Sequence, residues 1–223
     1  MKDTTGSLSL ISQERLDGRF VTRMQNTSNK AITAYGTAVC DAPESSTDYS
    51  IGDDLIEPGE VVDIDTSIRA VSHMCGSKIT RPTLTILAVV FDDRTYAGEF
   101  QWAKGILDDR RGQKIQLKRI NRLLANASKW PDASQSAALE ILKGEIRALP
   151  IDEAETPAVR GGLSSAKQRA LYLLDELKLW HQGSLTAQSR RNIPIQGELA
   201  GIDSLPEGIE KLITLNKKWI SRY

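Results

Sequence analysis

The sequence contains little of what recognisable active sites are built from. Its 223 residues include two cysteines and two histidines, and aromatic residues make up 5% of the chain. It has no Gly-x-Ser-x-Gly motif, no P-loop and no Gly-x-Gly-x-x-Gly motif, which are signatures of common nucleophilic and nucleotide-binding enzymes. We therefore expect neither a familiar enzyme nor a cofactor. The alternative is an enzyme of unrecognised type, with a site between the two halves of the chain near His73 and the Asp41–Asp54 loop.

Long apolar runs and an excess of one charge are missing too. No run reaches the roughly 18 apolar residues that a membrane-spanning helix needs. The 29 Lys and Arg residues balance 29 Asp and Glu residues, so the net charge does not indicate a nucleic-acid or membrane partner. Residues 1–5, Met-Lys-Asp-Thr-Thr, do not resemble a signal peptide, because an apolar core is missing. Two locations stay open: the cytoplasm, or an exported location with the signal peptide absent from this sequence.

The first half of the chain shows the period-two alternation of β-strands. Between Ser7 and about Trp102, short segments rich in Val, Ile and Thr are separated by turn residues. The expected strands lie at 7–12, 20–24, 31–40, 61–65, 83–91 and 95–100, and the most apolar of them, 83–91, is expected to be central. About six or seven short strands of this kind predict an antiparallel β-sandwich.

The second half has helical periodicity instead. From Lys104 onward, apolar residues recur every three or four positions, as in amphipathic helices. The apolar stripes run through Leu117–Ala127, Ala138–Leu149, Ala170–Leu177 and Ile209–Trp219. The third helix is expected to begin at about Ser164, after an acidic loop at Asp152–Gly162. Strands followed by helices predict an α+β protein, with a β-sandwich domain at 7–104 and a domain of about four helices at 105–223.

The segment Asn26–Lys30 is a polar run between two alternating segments. Asn tolerates left-handed backbone, and the Ser28 hydroxyl can bond neighbouring amides. We therefore interpret the run as the corner between two strands, not as a site.

Three segments carry a resemblance to a known family. They are Asn-x-Ser-x-Lys-x-Ile-x-Ala-Tyr at 26–35, Leu-Ile-Glu-Pro-Gly-Glu at 55–60 and Ala-Val-Val-Phe-Asp-Asp-Arg-Thr-Tyr-Ala-Gly at 88–98. In this order they resemble the sandwich-type domain of uncharacterised exported bacterial proteins, over about residues 15–112. The resemblance implies export and an immunoglobulin-like or fibronectin-like module, and it implies no reaction. Arg94 stands where those proteins often have glycine, so a tight two-residue turn is not expected there.

Cys40 and Cys75 are the only cysteines, and both lie at or beside the ends of predicted strands. An exported compartment would allow a disulfide between them. Closing a loop of about 36 residues would stabilise the fold by roughly 4 kcal/mol. Two free thiols are the alternative.

No metal site is predicted. His73 and Cys75, together with Cys40, would offer soft ligands for copper or zinc, but no Cys-x-x-Cys or His-x-x-x-His spacing supports such a site. The Asp41–Asp54 loop holds five carboxylates, yet it lacks the residue order of an EF-hand. We expect a solvated acidic loop.

Charge is distributed unevenly along the chain. Residues 1–112 carry 12 basic and 17 acidic residues, and residues 113–223 carry 17 basic and 12 acidic residues. The densest basic stretch, 110–122, contains Arg110, Arg111, Lys114, Lys118, Arg119 and Arg122. Such a face can bind phosphate, which keeps nucleic-acid binding as an alternative. Because no aromatic residue interleaves the stretch and two aspartates precede it, we expect a solvated helix face or one docked on the acidic sandwich.

The leading functional hypothesis is a non-catalytic, exported binding or scaffold module. It depends on the sandwich pattern, the family resemblance and the missing catalytic motifs. Its expected partner is a protein or a component of the cell envelope, and we do not expect nucleic acid. The sequence indicates neither the ligand nor the oligomeric state.

Overall fold

The protein has an α+β fold, in which the described strands precede the long helices along the chain, and Val71 and Cys75 are also helical. The computed structural model describes residues 2–40, 55–67, 71, 75, 82–129, 135–181 and 204–222. The chain divides into two compact units, Met1–Leu107 and Asp108–Tyr223, which we call the β unit and the helical unit. The domain boundary expected between residues 104 and 105 falls inside the first helix.

Seven strands form the β unit in the described part of the chain. They are β1 Lys2–Asp3, β2 Leu8–Leu16, β3 Arg19–Asn26, β4 Ile32–Val39, β5 Val61–Ser67, β6 Leu84–Phe91 and β7 Tyr96–Gly98. Asp17 and Gly18, with φ of 46° and 78°, make the two-residue turn between β2 and β3. An Asp-Gly pair suits this turn because both of its positions require positive φ.

The strands belong to two sheets. In the first, β6 pairs with β4 on one side and with β1 and β7 along the other. In the second, β3 lies between β2 and β5, and both pairings are antiparallel. The short β1 runs parallel to β6, so the expectation of a wholly antiparallel β unit is wrong for this strand. The β domain also begins before residue 7, since β1 pairs with Thr85 and Ile86.

The two sheets share one hydrophobic core. Its members come from β2 to β6, together with Ile56 and Val71: Leu8, Phe20, Met24, Ile32, Tyr35, Val39, Ile56, Ile64, Val71, Leu84, Ile86, Val89 and Phe91. The other face of the first sheet is covered as well, because Ile106 of the first helix packs on Ala34 and Val90. Both faces of β6 are therefore buried along its whole length, as the apolar run 83–91 predicts.

Four long helices are present in the described residues, besides the helical residues Val71 and Cys75. They are α1 Phe100–Ala127, α2 Gln135–Ala148, α3 Pro157–His181 and α4 Leu205–Arg222. Their apolar stripes meet in the core of the helical unit, which includes Leu117, Ile120 and Leu124 from α1, Leu139, Leu142 and Ile146 from α2, Leu173, Leu174 and Leu177 from α3, and Ile209, Leu212, Ile213 and Trp219 from α4. Each large side chain buried in this way contributes roughly 1.5–3 kcal/mol.

The third helix begins earlier than the sequence indicates. We expected a loop through Gly162, but α3 starts at Pro157. Gly162 is helical because it lies against α1, where a Cβ atom would come within 1.9 Å of the Asp109 carbonyl oxygen. A residue that is typical of a loop thus permits close contact between two helices.

Candidate functional site

A disulfide joins the end of β4 to a residue between β5 and β6 in the sequence. The sulphur atoms of Cys40 and Cys75 lie 2.03 Å apart, at bonding distance as expected, and their Cα atoms lie 5.6 Å apart. Cys40 donates its backbone N–H to the Thr83 carbonyl (2.7 Å), next to the start of β6. Both cysteines pack against the β-unit core. The bond therefore fixes Cys75 to the sheet that contains β4 and β6.

The segment Asn26–Lys30 forms the corner that the sequence predicts. Asn26 is 1% exposed, and its Nδ2 donates to the carbonyl oxygens of Lys30 (2.9 Å) and Ile56 (2.8 Å). Its Oδ1 accepts from the backbone N–H and the hydroxyl of Ser28 (2.9 and 2.7 Å). Both polar atoms of the amide are thus used within the fold, which supports a structural role.

A network around Lys30 holds the loop between β6 and β7. Lys30 Nζ donates to Asp93 Oδ2 (2.7 Å) and Thr95 Oγ1 (2.9 Å), and it lies 5.5 Å from the centre of the Phe91 ring. The hydrogen bonds from Lys30 and Thr95 lower the pKa of Asp93 from 3.8 to about 2. These exposed groups bond to one another, so the network holds the loop in place at the surface of the β unit.

The basic stretch 110–122 is partly neutralised by the loop before α3. Arg110 is buried. Arg111 forms a two-bond ion pair with Glu155 (2.9 and 3.1 Å). Arg119 donates to the Pro150 carbonyl (3.3 Å) and to Glu153 (3.4 Å).

Lys118 and Arg122, in the same stretch, are not neutralised in this way. Both are exposed, and neither has a hydrogen-bond or ion-pair partner among the described residues. Lys129, just beyond the end of α1, is exposed as well. We call Lys118, Arg122 and Lys129 the basic strip; the first two belong to the predicted basic stretch 110–122, and Lys129 lies beyond it.

A polar cluster lies where α1 contacts α3. Gln113 Nε2 donates to Asp109 Oδ2 (2.7 Å), and burial raises the pKa of Asp109 above its ordinary value of 3.8. Gln116 is fully buried and accepts from Arg119 (3.4 Å) through Oε1, while its Nε2 has no partner in the part of the chain that is described. The cluster consists of amides, a carboxylate and a guanidinium.

A second buried charge lies between α2 and α3. Lys143, with 7% of its side chain exposed, contacts Asp175 (2.5 Å) and Glu140 (3.3 Å). Lys178 also pairs with Glu140 (2.8 Å). The hydrogen bond that Lys143 donates to Asp175 is the main cause that raises the pKa of Lys143 above 10.5, so this lysine is held in its charged form. A charged amine is not a nucleophile, and the arrangement supports helix packing.

The helical unit also contains a small apolar recess. It is lined by Ala127, Ala138, Leu139, Leu142, Leu205, Pro206 and Ile209. These side chains carry no polar group, so the recess offers no acid, base or metal ligand.

Several candidates from the sequence lie outside the described residues. The Asp41–Asp54 loop and His73 are among them, and His181 ends α3. In the ranges that the structure describes, no group of three or more His, Cys, Asp or Glu side chains is placed to hold a metal ion.

Exposed apolar side chains on the β unit are a feature that sequence analysis did not identify. Leu10, Ile11 and Leu16 are exposed on β2. Tyr96 and Phe100 are exposed too, and their ring centres lie 6.1 Å apart. In the sequence, the exposure of this pair is indicated only by the turn before Tyr96, because the strand that follows the turn is short and lies at the edge of its sheet.

Comparison with known proteins places this chain in no family. No protein-family model, no curated protein and no solved structure matches it. None of the described helices combines the length and apolar character that a membrane crossing requires.

Proposed function

We propose that the protein is an exported, non-catalytic binding or scaffold module, with a β unit of the immunoglobulin-like or fibronectin-like type. The observation that carries the proposal is the Cys40–Cys75 bond. Disulfides persist in oxidising compartments outside the cytoplasm, where they stabilise small domains. Two sheets around one core, closed by this bond, are consistent with an extracytoplasmic module of that type.

The polar contacts of the described residues support a binding role over a catalytic one. Asn26, Asp93 and Lys143 each have partners that fix backbone or helix packing. Exposed apolar residues such as Ile11 and Phe100, in contrast, lie at the surface of the β unit, where they are accessible to a partner. The proposed partner is a protein or a component of the cell envelope.

Cell fractionation of the native producer, followed by alkylation of free thiols, tests the proposal. We expect the protein outside the cytoplasm, with both cysteines protected until a reductant is added. A cytoplasmic protein with two reactive thiols would overturn the export proposal.

A separate assay addresses the competing enzyme hypothesis. Hydrolysis of an ester, glycoside or phosphate substrate, abolished by one polar substitution that leaves the fold intact, would overturn the non-catalytic proposal. Under the binding proposal, no such activity accompanies the purified protein.

A further inference from the structure

The basic strip of the helical unit is a charged surface that the fold leaves open. Residues 110–129 contain seven Lys and Arg residues and no Asp or Glu. Arg111 and Arg119 obtain acidic partners from the loop before α3. Lys118 and Arg122 have none among the described residues. Because they lie four residues apart, on adjacent turns of one helix face, their like charges repel each other.

This open charge lies along a line. Lys118 and Arg122 are separated by about 6 Å along the axis of α1, at about 1.5 Å per residue. Lys129 follows two residues after the end of the helix. A linear array of long cationic side chains matches an extended ligand with repeated negative groups, since each contact releases a condensed counterion.

The surroundings of the strip decide which kind of polyanion fits. The large apolar side chains that are exposed in the described residues include none between positions 101 and 129. The part of α1 that carries the strip therefore provides no exposed apolar anchor of the kind that protein interfaces use, no stacking platform for single-stranded nucleic acid, and no apolar face that inserts into a lipid surface. What remains is recognition by charge alone.

We propose that the basic strip binds an acidic polysaccharide, a chain of sugar rings bearing sulfate or carboxylate groups. The choice of polysaccharide over duplex nucleic acid rests on the proposed function, because an exported protein meets acidic glycans outside the cytoplasm. The ligand chain runs along α1, and its anionic groups contact Lys118, Arg122 and Lys129.

Binding to a heparin oligosaccharide of defined length, measured by calorimetry at several salt concentrations, tests this proposal. The double variant Lys118→Gln/Arg122→Gln is compared with Arg160→Gln/Lys217→Gln, which removes two exposed charges from α3 and α4 of the same unit. We expect the first variant to lose affinity about tenfold and to lower the salt dependence by about two ions, on the rule of about one ion per contact. The second variant should bind like the wild type.

Three outcomes would overturn the proposal. The first is an equal loss in both variants, which would mean general attraction to positive charge. The second is tighter binding, through the same two residues, to duplex DNA of matched charge. The third is tighter binding to vesicles of anionic phospholipid. These measurements use purified protein, so they do not depend on the fractionation result. A cytoplasmic location would contradict the proposed function, whereas the binding measurements would still test the basic strip.

Discussion

Arg94 is an arginine in a backbone conformation that glycine usually occupies. Its φ is +67°, in the left-handed region that costs a residue with a Cβ atom about 1–2 kcal/mol. Arg94 donates its N–H to the Phe91 carbonyl (3.0 Å), and Phe91 donates to the Thr95 carbonyl (2.9 Å). These bonds close the four-residue loop Asp92–Thr95 between β6 and β7. The loop is longer than two residues, yet Arg94 adopts the left-handed conformation that its replacement of glycine made unexpected.

Replacing Arg94 with glycine should stabilise the β unit. We expect Arg94→Gly to be about 1 kcal/mol more stable than Arg94→Ala, because alanine removes the same side chain but keeps the Cβ atom. Urea unfolding of both variants measures the difference. A glycine variant no more stable than the alanine variant would show that the backbone conformation is not strained.

Asp93 should titrate well below an ordinary aspartate. The pKa of Asp93 in the folded protein, about 2, lies below its usual value of 3.8. The contacts of the ionised carboxylate therefore stabilise the folded state at pH values above 3.8. The contribution is lost as the pH falls from 3.8 toward 2. An NMR titration of the Asp93 carboxyl carbon measures this pKa directly. Lys30→Gln should move it upward, and a wild-type pKa near 3.8 would contradict the network around Lys30.

At the scale of elements, the contact between α1 and α3 depends on glycine. Two adjacent glycines in α3 meet α1 differently: a Cβ atom on Gly162 would lie 1.9 Å from the Asp109 carbonyl oxygen, whereas one on Gly161 would lie 3.5 Å from Asp109 Oδ1. The first distance requires the helices to move apart, and the second is ordinary contact.

The adjacent variants Gly162→Ala and Gly161→Ala form a matched pair. We expect Gly162→Ala to destabilise the protein by about 1–3 kcal/mol, as overpacking does. Gly161→Ala should be neutral or stabilising by about 0.5–1 kcal/mol, because alanine favours helix more than glycine. Thermal unfolding followed by circular dichroism measures both. Equal effects would contradict the close helix contact.

Most of the strands and helices could be predicted from the sequence. Strands β2 to β6 and the apolar stripes of the four helices were predictable, because burying one face of an element imposes a period on its sequence. The exception is Ile141, which the periodicity places in the stripe of α2 but which is exposed. The two-residue β1 is too short for any period. The start of α3 was hidden because Gly161 and Gly162 look like a helix end in isolation, and only contact with Asp109 reveals their role.

At the scale of the whole molecule, the candidate sites were only partly predictable. The disulfide partners followed from there being two cysteines in the chain. The division of the basic stretch into paired and open residues did not, since it depends on where the loop before α3 places Glu153 and Glu155. Long-range contacts of this kind leave no local pattern.

Removing the disulfide should destabilise the β unit strongly. Cys40 and Cys75 are 35 residues apart, and releasing a loop of this size costs up to about 4 kcal/mol on the chain-entropy model. The variant Cys40→Ser/Cys75→Ser, unfolded in urea, measures the loss. Wild-type protein kept reduced should lose stability to a similar extent, and an unchanged midpoint in both would contradict a stabilising role.

We propose that this chain works as an oxidised module outside the cytoplasm. The most direct measurement is the intact mass of the protein from its native cells after thiol alkylation, with and without prior reduction. We predict no alkylation before reduction and two alkyl groups after it, at Cys40 and Cys75. Two alkyl groups on the unreduced protein would contradict it.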